Sequence, residues 1–234
     1  MEQRTLEFNH QPLTIFLRDE ADRSVANEIF KFREYRLAEE CIKTATTPIV
    51  DVGAHSGLFT LFARSLNPLV PIIAVEPEKN NVTLLKQHLK ENNIKNVTVI
   101  EAALGGKTGK DRLLVMPDSH NHRLVPPGAS KAFTTSETIP VQAYSLAYVL
   151  EHFVPTTVSV LKMDIEGGEY EVFKHSTLEE LSKIKAIIME YHTLPGKNYQ
   201  AIEQKLRENG FGVQTHPSRF DKTMGFLFAT NKRI

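Results

Sequence analysis

The sequence predicts an α/β fold, a doubly wound and mostly parallel sheet of about seven strands. Three observations carry this. Short apolar runs (49–52, 72–75, 97–100, 158–163, 186–189) recur with helix-period segments between them. The first run ends in a glycine turn that opens a helix. Acidic residues stand at the carboxyl ends of these otherwise apolar runs, where doubly wound sheets hold their ligands. An N-terminal helical cap, an inserted β-hairpin and loop near 106–142, and a C-terminal antiparallel hairpin complete the expectation.

Taken in order, residues 1–17 alternate loosely and predict a hairpin turning near 9–12. Residues 19–46 space Val25, Ile29, Phe32, Leu37 and Cys41 as helices do, and Pro48 ends them. Ile49, Val50 and Val52 form a buried strand around Asp51. That carboxylate has no Lys or Arg near it in sequence and so calls for a partner. Gly53-Ala54-His55-Ser56-Gly57 turns the chain into a helix over 58–66, whose positive N-terminus faces the turn. The second strand, 72–75, ends in Glu76-Pro77, and Pro77 pre-sets a helix reaching about 92 with Val82, Leu85 and Leu89 on one face. A third strand, 97–101, ends in Glu101 and leads into Ala102.

The alternation then breaks. Strands over 112–116 and 138–141 flank a polar loop, 117–131, containing His120, His122 and Arg123. Ser145 caps a short helix over 146–152. A fourth strand, 158–164, runs into Glu166-Gly167-Gly168-Glu169 and a helix. A fifth ends in Glu190-Tyr191-His192. A helix over 199–209 is closed by Gly210, and strands over 211–215 and 225–229 form the terminal hairpin.

The length of 234 residues suits one domain with decorations, divided here into a cap (1–47) and a ligand-binding domain (48–234). Lys plus Arg and Asp plus Glu balance at 28 each, which gives no support for a nucleic-acid or membrane-surface binder. Cys41 is the only cysteine, so no intramolecular disulfide forms. The opening residues do not read as a signal peptide, and no apolar run approaches the roughly 20 residues of a membrane span. The expectation is a cytoplasmic protein acting on a small molecule.

The ligand is argued from charge. A dinucleotide pyrophosphate prefers Gly-x-Gly-x-x-Gly, and this turn lacks the third glycine of that pattern. Asp51 before the turn repels a pyrophosphate and suits a cationic ligand. Glu76, 25 residues beyond Asp51, stands near the spacing of a ribose-binding acid. S-adenosylmethionine has a sulfonium, an ammonium and ribose hydroxyls, and fits better than NAD.

Asp51-x-Gly53-x-x-x-Gly57 with Glu76 resembles the cofactor motifs of class I S-adenosylmethionine-dependent methyltransferases, whose sheet is Rossmann-like. Leu161-Lys162-Met163-Asp164-Ile165-Glu166-Gly167-Gly168-Glu169 resembles the signature of the FkbM-like methyltransferase family. Asn27-Glu28-Ile29-Phe30, Tyr35, Ala74-Val75-Glu76-Pro77 and Glu190-x-His192 also match its pattern, so the resemblance spans about 27–230. His55 departs from it, standing where the family commonly has Asn. The resemblance implies O-methylation of a sugar, polyketide or other small metabolite. A nucleic-acid methyltransferase and a non-catalytic S-adenosylmethionine-binding module are the alternatives.

On this reading Asp51, Gly53, Ala54, His55 and Gly57 hold the methionine end of the cofactor. Glu76 accepts both ribose hydroxyls, with Pro77 beside it. Glu101 and Ala102 flank the adenine, Tyr35 closes over the cofactor, and Asp164 faces the sulfonium. The catalytic candidates are His192, Glu190, Asp164 and Glu166, since an alcohol acceptor needs a base. Asp164, Glu190 and His192 are admissible ligands of a divalent metal, but no spacing motif demands one, and no metal is predicted. For Glu169, helix capping competes with a site role.

Overall fold

The computed structural model describes residues 1–116, 122–125, 128, 137–194, 196–218 and 223–234. The chain opens with an antiparallel hairpin, β1 (Glu2–Phe8) and β2 (Gln11–Leu17), turned at Asn9 and His10, both at positive φ. Asp19 accepts the Asp22 amide and caps α1 (Glu20–Ala26). A π-helical turn (Asn27–Lys31) and a 3-10 turn (Glu34–Ala38) then lead to α2 (Glu39–Lys43). Arg33, left-handed at φ 54, separates the two turns, so the helical spacing seen in the sequence becomes four short pieces.

The glycine turn joins β3 (Ile49–Val52) to α3 (Leu58–Leu66). β4 (Ile72–Val75), α4 (Lys79–Glu91) and β5 (Val97–Ile100) complete the first half of the sheet. The inserted region holds β6 (Ala103–Leu104), β7 (Gly109–Leu114), β8 (Arg123–Leu124) and β9 (Thr138–Tyr144). These form a small four-stranded sheet rather than a bare hairpin, with β6 parallel to β9. Strands of two residues are too short to show periodicity in a sequence. Most of the predicted loop, His120 included, lies outside the described residues.

The second half follows as α5 (Leu146–Phe153), β10 (Val158–Met163), α6 (Glu169–His175), α7 (Leu178–Ser182), β11 (Ile184–His192), α8 (Tyr199–Glu208), β12 (Phe211–Pro217) and β13 (Met224–Asn231). The main sheet has seven strands in the order β12–β13–β11–β10–β3–β4–β5. β13 runs antiparallel between β11 and β12, and the other pairings are parallel. β3, β4 and β10 are buried along their whole lengths, Asp51 of β3 and Ser159 and Lys162 of β10 included. β11 ends in Glu190-Tyr191-His192 as the sequence predicts and starts two residues earlier than expected, at Ile184. Pairing of Glu190 with Phe226 and His192 with Met224 on β13 extends it past the apolar run.

One core packs Leu146, Val149, Phe173, Ile202 and Leu206 on the sheet. A second packs Leu13, Ile15, Ile29, Tyr35 and Ile42 of the N-terminal segment with Phe59 and Phe62 of α3 and with Ile49, Val160 and Ile188 of the sheet, and a small third joins Ala54, Ala74 and Leu85. The strand order reverses between β3 and β10, and the crevice lies at their carboxyl ends.

Candidate active site

A cavity of about 680 Å³ occupies that crevice. Gly53, Ala54 and His55 line it from the glycine turn, Glu76 and Pro77 from the end of β4, and Asp164, Glu166, Glu190 and His192 from the ends of β10 and β11. Val25, Ile29, Phe32, Glu34 and Tyr35 cover it from the N-terminal segment.

The turn is tightly constrained. Gly53 has φ 69, and a Cβ there would lie 1.7 Å from the Asp164 carbonyl oxygen. Only glycine lets β3 meet the end of β10 so closely. Lys162 is the neighbour of Asp51 across that strand pair. Its Nζ donates to the carbonyls of Gly53 at 2.7 Å and Val52 at 3.2 Å, and stands 3.3 Å from Asp51 Oδ1. Asp51 Oδ2 accepts from the Thr60 hydroxyl at 2.7 Å. Asp51 is fully buried and does not line the cavity. Lys162, more than a hundred positions away in sequence, stands against its charge.

Glu76 is 4% exposed and held by the chain itself. Its Oε2 accepts the His55 amide at 2.9 Å, and its Oε1 accepts the Glu78 amide at 3.0 Å and Asn81 Nδ2 at 3.1 Å. Burial pushes its pKa up, and these donors oppose the shift. A carboxylate has about four acceptor positions, so about one remains for a ligand. Arg18 braces this corner, donating to Asn81 at 2.8 Å and to the buried Asp22, with its Nη2 3.1 Å from His55 Nε2. Sequence reasoning gave neither Arg18 nor Lys162 a role, although Lys162 stands in the family-like block; strand register pairs Lys162 with Asp51, and Asp22 four positions on is the local signal for Arg18.

On the other side, four acidic groups surround one imidazole. His192 Nε2 is 3.4 Å from Glu166 and 3.8 Å from Glu190, while its Nδ1 is 3.8 Å from Glu169. Glu169 is fully buried at the start of α6 and accepts the Ile165 amide at 3.0 Å. It therefore serves the helix start and faces the imidazole as well. Glu166 is left-handed at φ 54, an uncommon conformation for a residue with a side chain, in the turn before α6. Burial and then the Asp164 charge push Glu166 to about 7 and Glu190 well above the carboxylate range. Burial alone would lower the His192 pKa, but Glu169, Glu166 and Asp164 lift it to about 10. Among the described residues, Asp164, Glu190 and His192 also bring one ligand atom each within 4.8 Å of one another.

The four catalytic candidates read from sequence thus converge. Of the cofactor candidates, Gly53, Ala54, His55, Glu76, Pro77, Asp164 and Tyr35 line the cavity, and Asp51, Gly57, Glu101 and Ala102 do not. Gly57 turns the chain at φ 83 and caps α3. Glu101 is exposed and Ala102 buried, and the cavity wall there is Ala103 and Leu104.

The model of the Methyltransferase FkbM domain matches residues 51–213. The chain belongs to the FkbM methyltransferase family. This is a family of S-adenosylmethionine-dependent methyltransferases. The chain is similar to Methyltransferase sdnD of Sordaria araneosa, 27% identical over 229 residues, covering 83% of this chain and 88% of that one. It is similar to 31-O-demethyl-FK506 methyltransferase FkbM of Streptomyces tacrolimicus, 23% identical and covering 70% of this chain and 72% of that one. The fold matches a solved FkbM methyltransferase from Methylobacillus flagellatus (TM-score 0.53, 14% identical, 92% of this chain and 56% of that one). The cavity of this FkbM family chain fits the cofactor. It offers a glycine turn at a helix N-terminus, a buried acid with acceptor capacity left, and an apolar wall of Val75, Ala103 and Leu104. No helix among the described residues is long and apolar enough to cross a membrane.

Proposed function

We propose that this chain transfers a methyl group from S-adenosylmethionine to a hydroxyl oxygen of a small molecule, of the sugar, polyketide or other metabolite kind. The meeting of Asp164, Glu166, Glu190 and His192 beside the glycine turn carries this reading. The O-methyl product implied by the name of the Streptomyces relative supports the choice of oxygen. The balanced charge speaks against a nucleic acid.

Gly53, Ala54 and His55 hold the methionine end, with its carboxylate toward the N-terminus of α3. Glu76 takes a ribose hydroxyl, Val75, Ala103 and Leu104 flank the adenine, and Pro77 and Tyr35 close the walls. Asp51 acts through Lys162 by fixing the turn. S-adenosylmethionine supplies the methyl on a sulfonium, already a good leaving group, so the chain mainly aligns the acceptor. Glu166 takes the acceptor proton, because it faces the cavity and, among the described residues, is not tied up in a hydrogen bond to a backbone amide as Glu169 is. Residues 1–47 form the cap and 48–234 the methyltransferase domain.

Calorimetry should detect S-adenosylhomocysteine and not NAD. Glu76→Ala should weaken that binding by about 1–3 kcal/mol through an unpaired ribose hydroxyl. Methyl transfer from labelled cofactor into a metabolite extract should yield methyl ethers. Label found on nitrogen or in RNA would overturn the acceptor assignment. Failure to bind S-adenosylhomocysteine would overturn the whole reading.

A further inference from the structure

We propose that Asp164, Glu190 and His192 form a divalent-cation site that holds the acceptor oxygen beside the methyl donor. The role given to the cation rests on the O-methylation reading; the existence of the site does not. β11 presents Glu190 and His192 on one face, two residues apart. Asp164 follows the last registered pair of β10 and β11, Met163 with Met189, and so stands beside Glu190. Sheet geometry alone therefore gathers the three donors within 4.8 Å of one another.

A second observation points to a ligand. Glu190 is only 8% exposed, yet among the described residues its Oε1 accepts no hydrogen bond, and it lies 3.8 Å from His192 Nε2. Buried acceptors without a donor are rare and call for an ion or a water. Glu169, anchored on the Ile165 amide, faces Nδ1 of His192, so Nε2 is turned into the cluster. A carboxylate behind an imidazole is the usual support of a metal-bound histidine.

The donors choose the metal class. Two carboxylates and one imidazole suit a hard or borderline cation such as Mn²⁺ or Mg²⁺. All three donors line the cavity, which leaves coordination positions open toward an acceptor. A hydroxyl bound there has a lowered pKa. Its proton passes to Glu166, which is not one of the three ligands. The oxygen lone pair forms the new C–O bond as the C–S bond breaks, and that electron pair returns to sulfur as a neutral thioether.

The test is Mn²⁺ titration of the chelator-stripped full chain, read by electron paramagnetic resonance with S-adenosylhomocysteine present, whose neutral sulfur cannot compete as a cation. One Mn²⁺ per chain is expected. Glu190→Gln and His192→Ala should each weaken binding by about tenfold or more, and Glu179→Gln, at an exposed position of α7, should not. Unsaturable Mn²⁺ binding, or equal affinity in Glu190→Gln, would overturn the site. Glu190→Gln is isosteric, and its thermal melt shows whether the fold survives. Calorimetry of S-adenosylhomocysteine on the same samples tests the methyltransferase reading separately. Retained nucleoside binding without Mn²⁺ binding sinks the metal site alone.

Discussion

Asp51 illustrates how a residue is legible in type and not in partner. An acid inside an apolar strand needs compensation, and the sequence shows that need. Register supplies Lys162 from the next strand, and the cation then also fastens the glycine turn. Both groups are almost fully buried, so breaking the pair should be expensive. Asp51→Asn is expected to destabilise the fold by about 3 kcal/mol or more in urea denaturation, because Lys162 keeps a buried charge. Unchanged stability with lost cofactor affinity would instead mean that Asp51 touches the ligand. Glu34 allows a pH test. Burial, then Glu28 and Asp164, raise it from 4.5 to about 7 in the folded chain. The folded state then binds more protons than the unfolded state between those values, so stability falls as pH rises through the window. Glu34→Gln should melt higher than wild type above pH 7 and equally at pH 4.5. A difference that does not vary with pH would refute this origin. Asp164, Glu166, Glu190 and His192 were legible because polar groups at the ends of apolar strands stand out. Their mutual distances were not.

Among the elements, α4 does more than cross between strands. His88 on its inner face is fully buried. Its Nδ1 donates to the Ser56 carbonyl at 2.7 Å and its Nε2 accepts the Phe16 amide at 2.8 Å. These partners set a neutral tautomer, and burial lowers its pKa. One ring thus ties β2 of the hairpin to the glycine turn. His88→Ala should cost about 2–3 kcal/mol in chemical denaturation, since the Phe16 amide and Ser56 carbonyl lose their partner. A loss below about 0.5 kcal/mol would mean that water replaces the ring. The helix and strand positions around the turn follow local pattern, and α3 begins and ends where its spacing predicts. The inserted sheet was less legible, because β6 and β8 have two residues each and exist only through pairing. β11 ends at His192 as the sequence predicts, and that end carries Glu190 and His192 to the cavity.

Across the whole molecule, the N-terminal segment is part of the core. Leu13, Ile15, Ile29, Tyr35 and Ile42 pack against α3 and the sheet, and Tyr35 meets Phe59 and Phe226 edge-on at 4.9 and 5.6 Å. Removing residues 1–47 would expose Phe59 and Phe62, both nearly fully buried. The truncated chain is expected to aggregate or melt without cooperativity and to lose S-adenosylhomocysteine binding, as judged by solubility, calorimetric melting and ligand titration. A soluble, cooperative fragment that binds the nucleoside would make the segment a dispensable cover. By itself, the sequence determined the α/β alternation, the glycine turn and the acids at strand ends, because these follow from hydrophobic period and local backbone preference. Only the tertiary structure decided that Asp51 belongs to Lys162, that Glu76 is largely satisfied from within, and that four acids share one histidine. Each of those facts is a contact between segments far apart in the chain, and strand register, which local pattern does not encode, brings them together.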